Sequence, residues 1–315
     1  MFDFSVFTSW LDAALLSVMP GWLTILVECV LVALGIITLY AIFAMVMIYV
    51  ERKFCAFVQC RLGPDRVGPW GTIQVVCDVL KMLTKEIVSL RKTDRFLHAL
   101  APFLVVTASM TTFACLPWNK GAQIISYELS IGMVMLTMIC LAGTMSFSEL
   151  CQNQAEGGWY IFRGHFVALA AFIVYLIAGN AECNRGPFDL PESESELTAG
   201  YHTEYSGMDF GYYYLAEYLN LFICAGMAST VFLGGWAPFV IPGLDGFNEV
   251  MAMIPGFVWF LAKVFFVLFL LLWERWTFPR LRIDQILTLE WKYLIPISMP
   301  LLVLMALCVS LGLTF

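Results

Sequence analysis

Apolar residues run along this chain in blocks long enough to cross a bilayer, and short stretches between them carry most of the charge. A spanning helix needs about 20 mostly apolar residues. Seven runs meet that requirement: 22–50, 96–117, 122–147, 160–180, 210–235, 254–273 and 292–314. They predict an all-α, polytopic helical membrane protein, with seven spans in a single membrane domain over 1–315. The first run exceeds the bilayer thickness, so it tilts or projects beyond it. After it come two Gly-Pro breaks, Gly63-Pro64 and Gly68-Pro69, which force turns. The next segment, TIQVVCDVLKMLTKEIV, has apolar residues at helical spacing. Ile73, Val76, Leu80, Leu83 and Ile87 share one face, and Gln74, Asp78, Lys81 and Lys85 another. This predicts an amphipathic surface helix in the first loop. Its partner is either the bilayer, with lysines at lipid phosphate, or a soluble protein.

Composition agrees with a membrane chain. At 61% hydrophobic and 13% charged, it carries about half the charge of a soluble domain. Asp3 and Asp12 stand where a secretory signal would be cationic, so no cleaved leader is expected. The net charge of −7 comes largely from one central stretch and implies no nucleic-acid partner. Lys and Arg are unevenly placed. The connection at 51–95 holds nine and that at 274–292 holds four, whereas 236–253 holds none. The positive-inside rule puts both basic connections in the cytoplasm. Yet the runs between them number five, and an odd number puts them on opposite faces. The abrupt connection LPWNKGAQIISYE at 116–128 is where a segment with one more span is expected to be missing, near 120–121.

The chemistry-bearing residues narrow the function. None of the ten cysteines forms a C-x-x-C, and the three histidines are far apart. No metal site is expected, and no nucleotide-binding glycine pattern is present. Glu128, Glu217 and Lys263 lie inside apolar runs, where a charge costs about 2.5–3.5 kcal/mol even on lenient scales. Such residues face the interior, pair, or change protonation. Glu28, near the start of its run, can snorkel. Between two very apolar runs lies AECNRGPFDLPESESELTAGYHTEYSGMD, residues 181–209. Its seven carboxylates are Glu182, Asp189, Glu192, Glu194, Glu196, Glu204 and Asp209, and its one formal cation is Arg185. Asp189-Leu-Pro-Glu192 reads as a capping box. Carboxylates packed this closely in a dry site cannot all ionise, so some titrate near neutrality. That property suits a proton relay. A solvated loop is the competing reading.

ERKFCAFVQCRLGPDRVGPWG-x-x-Q at 51–74 and AECNRGPFDLPESESELTAGYHTEYSGM at 181–208 resemble the two loop signatures of one family. AQIISYE at 122–128, Glu217-Tyr218 and PRLRIDQ at 279–285 match it too. The family is that of the H-type subunit of the bacterial proton-pumping NADH:quinone oxidoreductase, respiratory complex I, whose mitochondrial form is NADH dehydrogenase subunit 1. The resemblance implies eight spans in the typical member, with the basic loop at 51–95 and the acidic loop at 181–209 both cytoplasmic. Where this chain has only NKG, at 119–121, the family carries a further span and a cytoplasmic loop.

The resemblance also implies a role for each matching residue. Glu51, Arg52, Gln59, Arg61, Arg66, Arg185 and Asp189 would bind quinone, either ubiquinone or menaquinone, in a chamber against the peripheral arm. Glu128, Glu182, Glu192, Glu194, Glu196, Glu204 and Glu217 would form the proton relay that couples quinone reduction to pumping. Lys263 joins that group through its place inside a span. The chain would carry no redox cofactor, with FMN and iron–sulfur clusters on partner subunits. Its partners would be the other membrane-arm and peripheral-arm subunits and membrane lipid, in the bacterial cytoplasmic (inner) membrane. Two alternatives stay open: the membrane subunit of an energy-converting hydrogenase, and a secondary cation or proton transporter. The transporter reading requires internal repeats with matching broken helices, and no such self-similarity is evident.

Overall fold

The computed structural model describes residues 20–87, 94–114, 129–189, 200–239, 246, 248, 251 and 253–312. Among them the chain is helical, with no strand. Helix α1 (Gly21–Val58) has 38 residues, about 57 Å at 1.5 Å per residue. It outruns the bilayer and carries Glu51, Arg52 and Lys53 on its last turns, where the sequence pattern expected a loop. The chain then turns through Gly63 and Gly68, both at positive φ. Helix α2 (Gln74–Thr84) follows. Its expected apolar face, Ile73, Val76, Leu80 and Leu83, is exposed, and Val75 is the residue it buries.

Four of the other helices pack around α8 (Met208–Phe232), whose second half is buried residue after residue, while the C-terminal helix Ile295–Ser310 packs on Leu129–Ala142 and His165–Glu182. Ala216, Ala225, Gly226 and Ala228 are small enough to let neighbours approach closely. Those neighbours are α1, α3 (Arg95–Ala114), α7 (His165–Glu182) and α9 (Gly256–Thr277). Helix α4 (Leu129–Ala142) and α5 (Phe147–Gly157) bend by 55° across Gly143, which has a φ of +72°. The short α6 (Tyr160–Arg163) leads into α7. Helices α10 (Ile283–Leu289) and α11 (Ile295–Ser310) are joined by a π turn over Glu290–Leu294. Pro296 lacks the N–H that would continue the α ladder there, so the widened turn is where the helix absorbs the break.

Among the described residues, five helices are long and apolar enough to span, or six if the bent α4–α5 pair is one span. The run at 96–117 contributes a shorter described apolar stretch, Phe96–Ser109. Side-chain contacts fix the helix directions. His98 of α3 stacks on Tyr205, just before α8, with ring centres 4.4 Å apart. Farther along both helices, Ser109 donates to Asn220 Oδ1 at 2.9 Å. So α3 and α8 run the same way. Helix α7 runs oppositely, because Phe172 near its start meets Phe232 at the end of α8 (5.2 Å). Helix α4 opposes α7: a Cβ at Gly164 would meet Leu141 at 3.2 Å, while Ile131 and Gly179 share one cavity wall.

Candidate functional site

The C-terminal end of α1, the loop after α7, and α8 and α9 converge on one cluster of charge. Arg185 is 2% exposed and donates to Glu51 Oε2 at 2.5 Å. It also pairs with Glu217, and Arg275 pairs with Glu51 from the other side. The Tyr218 ring lies under the Arg185 guanidinium, 4.1 Å away. Two carboxylates thus face two guanidinium groups, so the buried charge is balanced. Burial pushes Arg185 down, but Glu51 and Glu217 hold its pKa well above the ordinary arginine value. Backbone contacts fix the Arg185 loop: Asn180 Nδ2 donates to the Gly186 carbonyl at 3.1 Å, and Leu281 N–H to that of Pro187 at 3.0 Å. Arg185 Nη2 is buried with no acceptor among the described residues.

Above the cluster lies a cavity of about 590 Å³. Its wall includes Glu51, Arg52, Arg61, Tyr214, Tyr218, Arg275 and Trp276, with the Leu62–Pro64 turn at its mouth. That turn is held by close backbone approach: a Cβ on Gly71 would sit 2.2 Å from the Pro64 carbonyl oxygen. Tyr49 also donates to the Trp70 carbonyl at 3.0 Å. Arg52 pairs with Asp78 of α2, whose carboxylate also accepts from Gln74 at 3.1 Å. Burial pushes the Asp78 carboxyl up, but the Arg52 hydrogen bond and charge, with Gln74 and Lys81, bring it below the ordinary range.

Of the residues expected from sequence, the structure therefore brings together Glu51, Arg52, Arg61, Arg185 and Glu217. Gln59 and Arg66 are exposed and do not line this cavity. Asp189, expected to cap a helix, pairs with Arg280 at 2.7 Å; the rest of that capping box lies outside the described residues. Glu182, at the end of α7, lines a different cavity. Glu204 is exposed on a 3₁₀ turn (Gly200–Glu204). Lys263 is buried, donates to the carbonyls of Gly235 (3.0 Å) and Ala237 (2.5 Å), and lies 4.4 Å from the Trp159 ring centre. Glu128, Glu192, Glu194, Glu196 and the connection at 120–121 lie outside the described residues. Sequence reasoning did not assign Arg275, Trp276, Tyr214 or Tyr218 to the site. The signal for the first two was the alternation of aromatic and charged residues in WERWTF. Among the described residues, no group of three or more His, Cys, Asp or Glu could hold a metal.

The sequence model of the NADH dehydrogenase family matches residues 31–122 and 120–306. The chain belongs to the NADH dehydrogenase family. It is 60% identical, over 360 aligned positions, to the H subunit of the NADH-quinone oxidoreductase of Bacteroides thetaiotaomicron, with both chains covered in full. It is 39% identical over 336 positions to NADH-quinone oxidoreductase subunit 8 of Rhodothermus marinus, covering 89% of this chain and 97% of that one. With the H subunit of the Chlorobaculum parvum NADH-quinone oxidoreductase it shares 37% identity over 354 positions, covering 96% and 97%. The family match breaks into two pieces that meet at 120–122. The first alignment has 360 positions against 315 residues here, so 45 fall where this chain has none.

Proposed function

We propose that this chain is the H-type membrane subunit of an NADH–quinone oxidoreductase, and that its 590 Å³ cavity receives the quinone. The observation that carries this reading is the balanced charge cluster forming part of that cavity: Glu51 and Arg275 line it, and Arg185 and Glu217 lie behind them. Tyr214, Tyr218 and Trp276 offer flat apolar surface to a ring, and Arg61 and Arg275 offer donors to its oxygens. Electrons come from FMN and iron–sulfur clusters on the partner subunits of the peripheral arm. The assembly sits in the bacterial cytoplasmic membrane.

Reducing the quinone places negative charge on its oxygens and draws two protons. An anion beside Arg275 competes with Glu51 for that guanidinium. Glu51 then loses part of the positive field that keeps it ionised, and its proton affinity rises. Arg185 joins Glu51 to Glu217, so a change at the cavity reaches a carboxylate inside α8 through one shared side chain. Glu128, Glu182, Glu192, Glu194, Glu196, Glu204 and Lys263 complete the proposed proton route, with Gln59, Arg66 and Asp189 at the chamber margin. The test is Glu217→Gln and Glu51→Gln in the assembled enzyme. Both should lower quinone reduction at least tenfold, and Glu217→Gln should also lower protons pumped per electron pair. Wild-type rates and stoichiometry in both variants would refute the assignment.

A further inference from the structure

A second cavity, of about 360 Å³, opens between α3, α4, α7 and α8. Two cysteines face it, Cys183 just past the end of α7 and Cys224 in α8. They are 5% and 9% exposed, and on the shared cavity wall their thiols lie close enough to interact with each other. Both are free thiols. Gly179 makes room for the pair, since a Cβ there would lie 2.5 Å from Cys224 Sγ. The backbone is fixed on both sides. Tyr175 Oη donates to the Cys224 carbonyl at 3.0 Å, and the Cys183 N–H to that of Gly179 at 3.1 Å. Opposite the sulfurs, Val105, Ala108 and Ile131 make an apolar wall. The site described above uses neither thiol.

We propose that Cys183 and Cys224 form a two-thiol binding site for trivalent arsenic. Two adjacent soft donors match a soft, thiophilic centre. Two As–S bonds leave trivalent arsenic its own third substituent, which the apolar wall accommodates when that substituent is an aryl ring. With an arsenous oxide R–As=O, both S–H bonds and the As=O bond break. Two As–S bonds form, and the two protons leave with the oxygen as water. Arsenic stays trivalent, so no oxidant or reductant is needed. The bridge would tie the loop carrying Arg185, two residues beyond Cys183, to the helix carrying Glu217. The inference rests on the thiol geometry and does not depend on the quinone reading.

The test treats membranes containing the assembled enzyme with phenylarsine oxide, then maps adducts and alkylatable thiols by mass spectrometry. The expected result is one arsenical bridging the peptides of Cys183 and Cys224. Both thiols should be lost to alkylation and recovered with a competing dithiol. Cys183→Ser and Cys224→Ser should each lower occupancy at least tenfold at fixed reagent, while Cys308→Ser leaves it unchanged. Cys224→Ala, which suits the apolar surroundings, serves if serine disturbs assembly. Absence of the bridged peptide in the wild-type subunit, or wild-type occupancy in the Cys183 and Cys224 variants, would overturn the proposal.

Discussion

Arg185 is almost fully buried yet charged, because carboxylates from two helices meet it. Removing one partner of such a buried pair costs about 3–5 kcal/mol, since it strands the other charge. The ion pair between Arg52 and Asp78 is different in kind: both residues are partly exposed, and the pair joins α1 to α2. A carboxyl whose folded pKa is lowered contributes stability that is present above its unfolded pKa, about 3.9. That stability disappears as pH falls through the lowered folded value. Asp78 is such a group, so the α1–α2 contact should survive moderate acid and fail only below it. Arg52→Ala removes the cause and should move that failure to higher pH. Pepsin cleavage within 74–84, followed as the pH is lowered, reads the difference. Identical profiles for the variant and wild type would show that Asp78 is not held by Arg52. Individual charges were legible in the sequence, and Glu51, Arg185 and Glu217 stood out. Their pairing was not, because it joins residues 134 and 32 positions apart. Arg275 was legible as part of a basic connection and of the WERWTF alternation, neither of which places it beside Glu51.

At the scale of elements, the turn between α1 and α2 shows what local sequence can specify. Two Gly-Pro steps marked the turns, and Gly63 and Gly68 adopt the positive φ that such breaks use. The sequence did not mark Gly71 as equally necessary. Its φ is +78°, and a Cβ there would overlap the Pro64 carbonyl. Gly71→Ala should therefore push the Leu62–Pro64 turn away from its seat and open the mouth of the cavity. The penalty should be about 1–3 kcal/mol, the range for a residue forced into a sparsely populated backbone region. Faster proteolysis between 61 and 73, together with a raised KM for quinone in the assembled enzyme, is the expected outcome. Unchanged proteolysis and KM would mean that the backbone accommodates the methyl without moving the turn. Boundaries were less legible than turns: α1 continues to Val58, because Phe54, Cys55 and Ala56 keep one side of the helix covered after the charged residues begin.

The whole molecule poses a problem of direction. Helices α3 and α4 follow one another in sequence, yet the contacts with α8 and α7 make them run the same way. Residues 115–128, fourteen in number, connect the end of one to the start of the other. Returning across the hydrocarbon takes a helix of about 20 residues, and an extended strand would leave its backbone groups without partners there. Charge placement and homology agree with this, and the family match supplies the place. The basic connections fall on one side only if one more span separates them. The family match breaks at 120–122, and the alignment with the Bacteroides thetaiotaomicron subunit holds 45 extra positions. We propose that the native subunit has a further crossing between Ala114 and Leu129, antiparallel to both helices, which this sequence lacks. The polytopic helical character was legible from hydropathy, whereas five or six of the described helices, against seven expected runs, are long and apolar enough to span; the missing crossing emerges only when charge placement and helix direction are combined. The intact mass of the subunit released from the assembled, active enzyme decides the matter. It should exceed 35.5 kDa by a segment near 45 residues, and peptides joining 118 to 122 through NKG should be absent. A subunit of 35.5 kDa in an active complex would mean that 115–128 closes the bundle unaided.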